Sequence, residues 1–294
     1  MNRMTSTLKH KSALLVIGVL LANSVYSREL NIAHSNISTT YGNYPKELLA
    51  LALSYSKNEY SVKSPNNFIP YERCVARITS GKLDVMWAPA SVQNEIHMRP
   101  IHIPIFKGLL GHRIFIINKA SQGDFDAIRE EDALKATPLG QVRAWSDSRI
   151  LEHNGYNVIR IQRYEDVFPM LRSKRFTAFP RGIFEPWVEI DNIQHLELKA
   201  ELAVEKTLML KYPMPLYYYV NKGDDDLARD IKQGLERAIT NGEFDKLFYG
   251  DKKIHDVFEK SNFKSRKVFE LKNPYLPEGT PLDRSELWLS TDLK

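Results

Sequence analysis

Apolar residues along the chain fall into two alternating spacings. Short apolar runs at 30–33, 60–63, 83–87, 100–105 and 110–118 read as strands. Between them the apolar positions lie three and four apart. Leu48, Leu49, Ala52 and Leu53 predict the inner face of a helix over 45–56, with Pro45 at a favoured first position. Tyr71, Cys74, Val75 and Ile78 predict a second helix that Gly81 stops. The stretch 140–189 repeats the same unit. Strands at 139–142, 157–161 and 176–179 alternate with a helix from Ser146-Asp147 to Asn154-Gly155 and one carrying Tyr164, Val167, Phe168 and Leu171. Pro169 fits the latter if its first turn begins near Asp166. A helix near 124–134 and strands at 196–198 and 207–210 complete the second half. After Pro213 and Pro215 comes a strand of strong β-formers at 216–220, then the clearest helix. Asp224, Asp225 and Asp226 load its N-terminus, Leu227, Ile231, Leu235 and Ile239 form its stripe, and Asn241-Gly242 end it.

Strands that alternate with helices at this spacing imply an α/β chain with mostly parallel sheets, whose ligand sites lie beyond the carboxyl ends of the strands. A chain that leaves one lobe, builds another and returns forms two lobes joined by two connecting strands, with a cleft between them. We expect 28–118 plus 213–250 in the first lobe, 119–212 in the second, and 251–294 as an extension packed on the lobes. Phe269, Tyr275, Leu282, Leu287 and Trp288 make that extension too apolar for a disordered tail.

The N-terminus changes the charge picture. Arg3, Lys9 and Lys11 precede an apolar run at 13–22, and Val25-Tyr26-Ser27 offers a cleavage site, so residues 1–27 read as a secretory signal. The run is shorter than the ~20 residues of a spanning helix. The full chain has 41 Lys+Arg and 36 Asp+Glu; without the leader 38 face 36, a field too weak for nucleic acid. The lone Cys74 excludes an intramolecular disulfide, and its place on an apolar helix face predicts a buried thiol. No cysteine stands near the cut to carry a lipid, so the mature chain is expected to be soluble and periplasmic.

SGKLDVMWAP, the segment GHRIFIIN, and PLYYYVNKGDDDLARDIKQGLERAITNGEFDKLF together resemble the bacterial extracellular solute-binding proteins of family 3. The resemblance spans about residues 29–249. AWSDSRILEHNGYNV, FTAFPRGIFE and the tail segment FELKNPYLPEGTPLDRSELW resemble a poorly characterised proteobacterial branch of such proteins. The resemblance implies a type II periplasmic binding-protein fold, a monomer that closes on a small polar ligand such as an amino acid, and a membrane permease or sensor as partner. It implies no cofactor and no catalysis. One motif departs: the family's carboxylate-clamping Ser/Thr-x-x-Arg is here Ser91-Val92-Gln93-Asn94, and a neutral amide cannot replace a bidentate guanidinium. Either Arg113 or Arg181 takes the carboxylate, or the ligand is not an ordinary free amino acid. Glu185 is the candidate for holding an amine.

The candidate ligand-binding set is therefore Trp87, Ser91, Arg113, Trp145, Asp147, Arg181 and Glu185. Each has a plainer reading. Trp87 is also a rim aromatic of the core, Asp147 a helix cap with Trp145 beside it, and Arg181 with Glu185 an i,i+4 pair worth ~0.3–0.5 kcal/mol. Arg143 is a further anion contact unless strand alternation turns it outward. Hydrolase chemistry lacks a G-x-S-x-G elbow, and His97, His102 and His112 have loose spacing for a metal. A glycan-cleaving enzyme using Asp147 and Glu185 is the stronger catalytic alternative.

Overall fold

A computed structural model describes residues 27–33, 41–63 and 69–289. The expected signal segment, residues 1–27, therefore lies outside the described residues, apart from Ser27. The first lobe opens with β1 (Ser27–Ala33), α1 (Tyr44–Leu53), β2 (Glu59–Lys63) and α2 (Tyr71–Thr79), then β3 (Val85–Pro89), α3 (Val92–His97) and β4 (Arg99–Ile101). The chain then builds β5 (His112–Asn118), α4 (Gln122–Asp126), α5 (Glu131–Ala136), β6 (Leu139–Val142), α6 (Ser146–His153) and β7 (Val158–Ile161). Next come α7 (Val167–Arg172), β8 (Ala178–Gly182), α8 (Pro186–Asp191), α9 (Leu196–Glu201), β9 (Leu202–Val204) and β10 (Leu208–Lys211). β11 (Leu216–Val220), α10 (Asp225–Thr240) and α11 (Glu243–Gly250) return to the first lobe, and α12 (Lys252–Lys260) and β12 (Lys267–Glu270) lead into the tail.

Two sheets result, with strand orders β2-β1-β3-β11-β4 and β12-β10-β5-β8-β6-β7. They share one plan. In each, a first strand lies between the second and third and parallel to both, and the strand that arrives from the other lobe runs antiparallel beside the third: β11 next to β3, β5 next to β8. This is the two-lobed α/β architecture expected of a type II periplasmic binding protein.

Several local expectations change. Residues 112–118 form a strand of the second sheet, so the first crossing is made earlier, by residues 102–111, and the boundary at 118 moves with it. The crossings are not strands: residues 109–111 form a 3-10 turn, and residues 212–215 hold two prolines. Residues 196–198 are helical rather than extended; Leu196 is 78% exposed and Leu198 is buried, so the Leu-Glu-Leu alternation serves a helix with one inward residue. Pro169 is the third residue of α7, where its missing N–H has no partner to lose. Cys74 is fully buried.

The core is continuous across the two lobes. Leu48, Leu235 and Val85 belong to the same apolar cluster as Phe115, Leu139 and Leu151. Tyr41, Phe106 and Phe184 join the halves: Tyr41 lies 4.9 Å from Phe106 and edge-on to Phe184 at 5.4 Å, and Phe106 is 5.4 Å from Phe184. The connectors run side by side, with the Tyr212 amide donating to the Gly111 carbonyl at 3.2 Å and the Ile105 amide to Leu216 at 3.0 Å. Any Cβ at Gly111 would collide with the Tyr212 carbonyl, so the crossing needs glycine there. Gly234 on α10 lets that helix rest on the Ala52 carbonyl of α1 in the same way. Gly234→Ala is expected to cost about 1–3 kcal/mol in urea unfolding, whereas Gly123→Ala, with nothing within 4 Å of its added carbon, leaves stability unchanged or slightly raised.

Candidate functional site

The second sheet gathers its charged groups at one edge. β6 and β8 are parallel and end at Val142 and Gly182, so the segments that follow them emerge on the same side. β5 is antiparallel, which puts Arg113 opposite Gly182. β10 pairs Lys211 with His112, so Tyr212 and the second connector leave from this edge too. Topology alone therefore brings together residues 113, 145–147, 181–185 and 212.

Arg113 is the centre of this edge. Its Nη2 lies 2.8 Å from Asp147 Oδ1 and its Nη1 3.6 Å from Glu185 Oε2, while Nε donates to the Tyr212 hydroxyl at 2.9 Å. Tyr212 in turn donates to Asp147, closing a three-membered ring of contacts. Met214 Sδ lies 2.6 Å from Arg113 Nη2, which fastens the second connector at another point. Arg113 is 2% exposed and Asp147 5%. Burial alone opposes the guanidinium charge, but Asp147, Tyr212 and Glu185 outweigh it and hold the pKa of Arg113 above its ordinary value. Burial pushes the Tyr212 hydroxyl far up, keeping it protonated to donate.

Arg181 forms the other half. Within β8, and not after it as the sequence suggests, its Nε and Nη2 engage Glu189 of α8 at 2.9 and 2.6 Å, and Nη2 reaches Glu185 at 2.9 Å. Its guanidinium carbon stands 4.5 Å from the centre of the Trp145 ring and 5.1 Å from that of Phe179. Glu185 also accepts the Gly182 amide at 2.8 Å, which fixes the turn after β8. Two glutamates thus share one guanidinium. Burial raises the Glu189 pKa, against the pull of Arg181.

Five of the seven sequence-derived residues, Arg113, Trp145, Asp147, Arg181 and Glu185, meet here. Trp87 packs in the first-lobe core, edge-on to Tyr218 at 6.5 Å. Ser91 caps α3 by accepting the Asn94 amide at 3.1 Å. Asn94, in the place of the family arginine, is buried, donates to the Pro89 carbonyl at 2.9 Å and accepts from Tyr71. Arg143 is exposed. Sequence reasoning missed Glu189, whose signal was its i,i+4 spacing from Glu185, and Tyr212 and Tyr41, which nothing local distinguished. Tyr41, a first-lobe residue packed on Phe106 and Phe184, lies within electrostatic reach of the cluster. Burial raises its pKa first, and then the charges of Glu185, Arg113, Arg181 and Asp147 act on it.

The three histidines weighed for a metal have separate partners: His97 with Gln93, His102 with Glu95, and His112 on the Phe263 ring at 5.2 Å. Among the described residues no group of three or more candidate ligands forms a metal site, and no helix is long and apolar enough to cross a membrane. Hollows of about 440 to 790 Å³ on the described surface are lined by residues outside the charged cluster.

No family model matches the sequence, and no curated protein does. Similar solved structures include an ancestral arginine-binding protein bound to arginine, with 16% identity over 79% of this chain and 97% of that one, at a TM-score of 0.46. A histidine kinase sensor domain with similarity to periplasmic binding proteins shares 13% identity over 76% and 96%, at 0.49. Substrate-binding domain 2 of Lactococcus lactis GlnP in its open conformation shares 16% over 75% and 93%, at 0.47.

Next to the cluster, burial and then Lys211 lower the His112 pKa to about 4. In the unfolded chain a histidine titrates near 6.5, so between those values the unfolded state binds the extra proton. Stability is therefore full above pH ~6.5 and falls as pH drops toward ~4. Urea unfolding of His112→Gln is expected to show a shallower loss over this window than the parent chain.

Proposed function

We propose that the chain is an exported, non-catalytic solute-binding receptor of the family 3 type, closing on a small polar ligand on behalf of a membrane permease or sensor. The observation that carries this reading is the convergence of Arg113, Trp145, Asp147, Arg181 and Glu185 at the hinge-side edge of the second lobe, with Tyr41 of the first lobe within electrostatic reach of them. Charged side chains from three separate segments, supported by tyrosines, form a largely buried polar cluster where two lobes meet, with Trp145 and Glu185 partly exposed at its margin. Such a margin suits recognition between closing lobes.

Charge balance narrows the ligand. Two arginines face three carboxylates, and both guanidiniums are engaged within the chain. A ligand carboxylate would have to compete with them, and Asn94 offers no substitute. The favoured ligand is therefore a small polar molecule whose recognition does not depend on a free α-carboxylate. Asp147 and Glu185 are both committed to Arg113, which favours binding over glycan cleavage.

A second reading has its own observation. The charged groups are satisfied internally, and Tyr41, Phe106 and Phe184 pack against one another between the lobes, as in a protein that acts only through its outer surface. A thermal-shift screen of mature protein against amino acids, polyamines, organic acids and short peptides separates the two. A ligand at 100 times Kd adds about 2.7 kcal/mol. The receptor reading expects at least one class to raise the melting temperature, and Trp145→Ala to abolish that rise. No shift from any class would favour the ligand-free reading.

A further inference from the structure

The chain crosses between the lobes more often than two connectors require. After α11 it passes along α12 back to the second lobe, where Arg266 is buried with Glu205 at 3.1 Å and β12 adds a parallel strand beside β10. From there the tail returns. The Lys272 amide donates to Asn154 Oδ1 at 2.9 Å, Asn154 Nδ2 donates back to the Lys272 carbonyl at 2.8 Å, and Arg149 stands 4.8 Å over the Tyr275 ring. These contacts tie it to α6, the helix that carries Asp147. Asn273 then donates to the Pro213 carbonyl in the second connector at 2.9 Å.

Beyond this point the tail belongs to the first connector and the first lobe. Gly279 lies so close to the His102 ring that a Cβ there would collide with it. Arg284 grips Glu236 of α10 with two bonds of 2.6 and 2.8 Å. The Leu289 amide donates to the Lys107 carbonyl at 2.7 Å, and Lys107 Nζ donates to the Glu286 carbonyl at 2.6 Å and to Asp245 at 2.8 Å. Trp288 covers Gly108, a left-handed residue where a side chain would strike the indole. Leu287 and Leu289 are buried in the shared core.

We propose that residues 271–289 are a strap that holds the lobes at their closed spacing whether or not ligand is present. One end is fixed to α6, the middle to the second connector, and the far end to the first connector and α10. Rotation of the lobes about the connectors changes the distance between α6 and α10, and a short segment anchored at both resists that change. The cleft then opens when the first-lobe end, Arg284 to Leu289, lets go. The consequence for ligand exchange rests on the receptor reading, while the lobe spacing itself does not.

Lobe spacing is therefore measured on protein without ligand. Spin labels at Lys57→Cys in the first lobe and Gln162→Cys in the second report the interlobe distance by pulsed electron resonance; Cys74 is buried away from the label. The parent chain is expected to give one narrow distance. A chain ending at Leu271 is expected to add a longer-distance population, as is full-length Arg284→Glu, whose altered pair is one-third exposed and leaves the core intact. Adding Glu236→Arg to Arg284→Glu is expected to restore the narrow distance. Longer distances already present in the parent chain would overturn the strap. So would an unchanged distance in Arg284→Glu, including where the truncated chain fails to fold. A truncated chain that melts earlier yet keeps the parent distance would show a cover and not a strap.

Discussion

The structure depends on the burial of Arg113. A guanidinium at the edge of a sheet, almost without water, is tolerable only when carboxylates and hydrogen-bond acceptors surround it. Asp147, Glu185 and Tyr212 meet that requirement from three separate parts of the chain. Satisfying one charge thus fixes the turn into α6, the turn after β8, and the exit of the second connector. Arg181 repeats the device one strand over, with Glu185 shared between the two. The result is a rigid polar edge at the hinge, where small changes in lobe spacing would be felt.

On the receptor reading, that edge also sets what the protein can recognise. Its arginines and carboxylates are already paired, so recognition would fall chiefly to the partly exposed Trp145 indole and to hydrogen-bonding groups at the margin of the cluster. A site of this kind selects by shape and hydrogen bonding more than by capturing an opposite charge. The tail and the Tyr41–Phe106–Phe184 contact both join the two lobes, one through ties such as Arg284 to Glu236 and the other through ring contacts.

Much of the fold was legible in the sequence because its elements bury one face. α1, α2 and α10 have apolar residues at helical spacing, and β5, β8 and β11 are short apolar runs, so periodicity found them. It failed at Leu196, Glu197 and Leu198, where alternation over three residues cannot distinguish a strand from one helical turn. The candidate site was half legible. Trp145, Asp147 and Glu185 follow strands, and Arg181 lies in the last residues of one, at the edge where α/β sheets place ligands. Glu189, Tyr212 and Tyr41 come to the cluster through tertiary packing, which no local pattern encodes. Trp87 ends the apolar run at 83–87 and Ser91 follows it, as binding residues would, but Trp87 lies inside β3, and packing and capping account for both.

The most direct measurement is a double-mutant cycle on the central pair, comparing Arg113→Met, Asp147→Leu and the double variant by urea unfolding. If the buried pair organises the hinge edge, each single change strands the opposite charge and costs about 3–5 kcal/mol, while the double variant loses much less than their sum, with a coupling of about 2 kcal/mol or more. Effects that add to within about 0.5 kcal/mol would show that the two residues act independently, and would contradict the account.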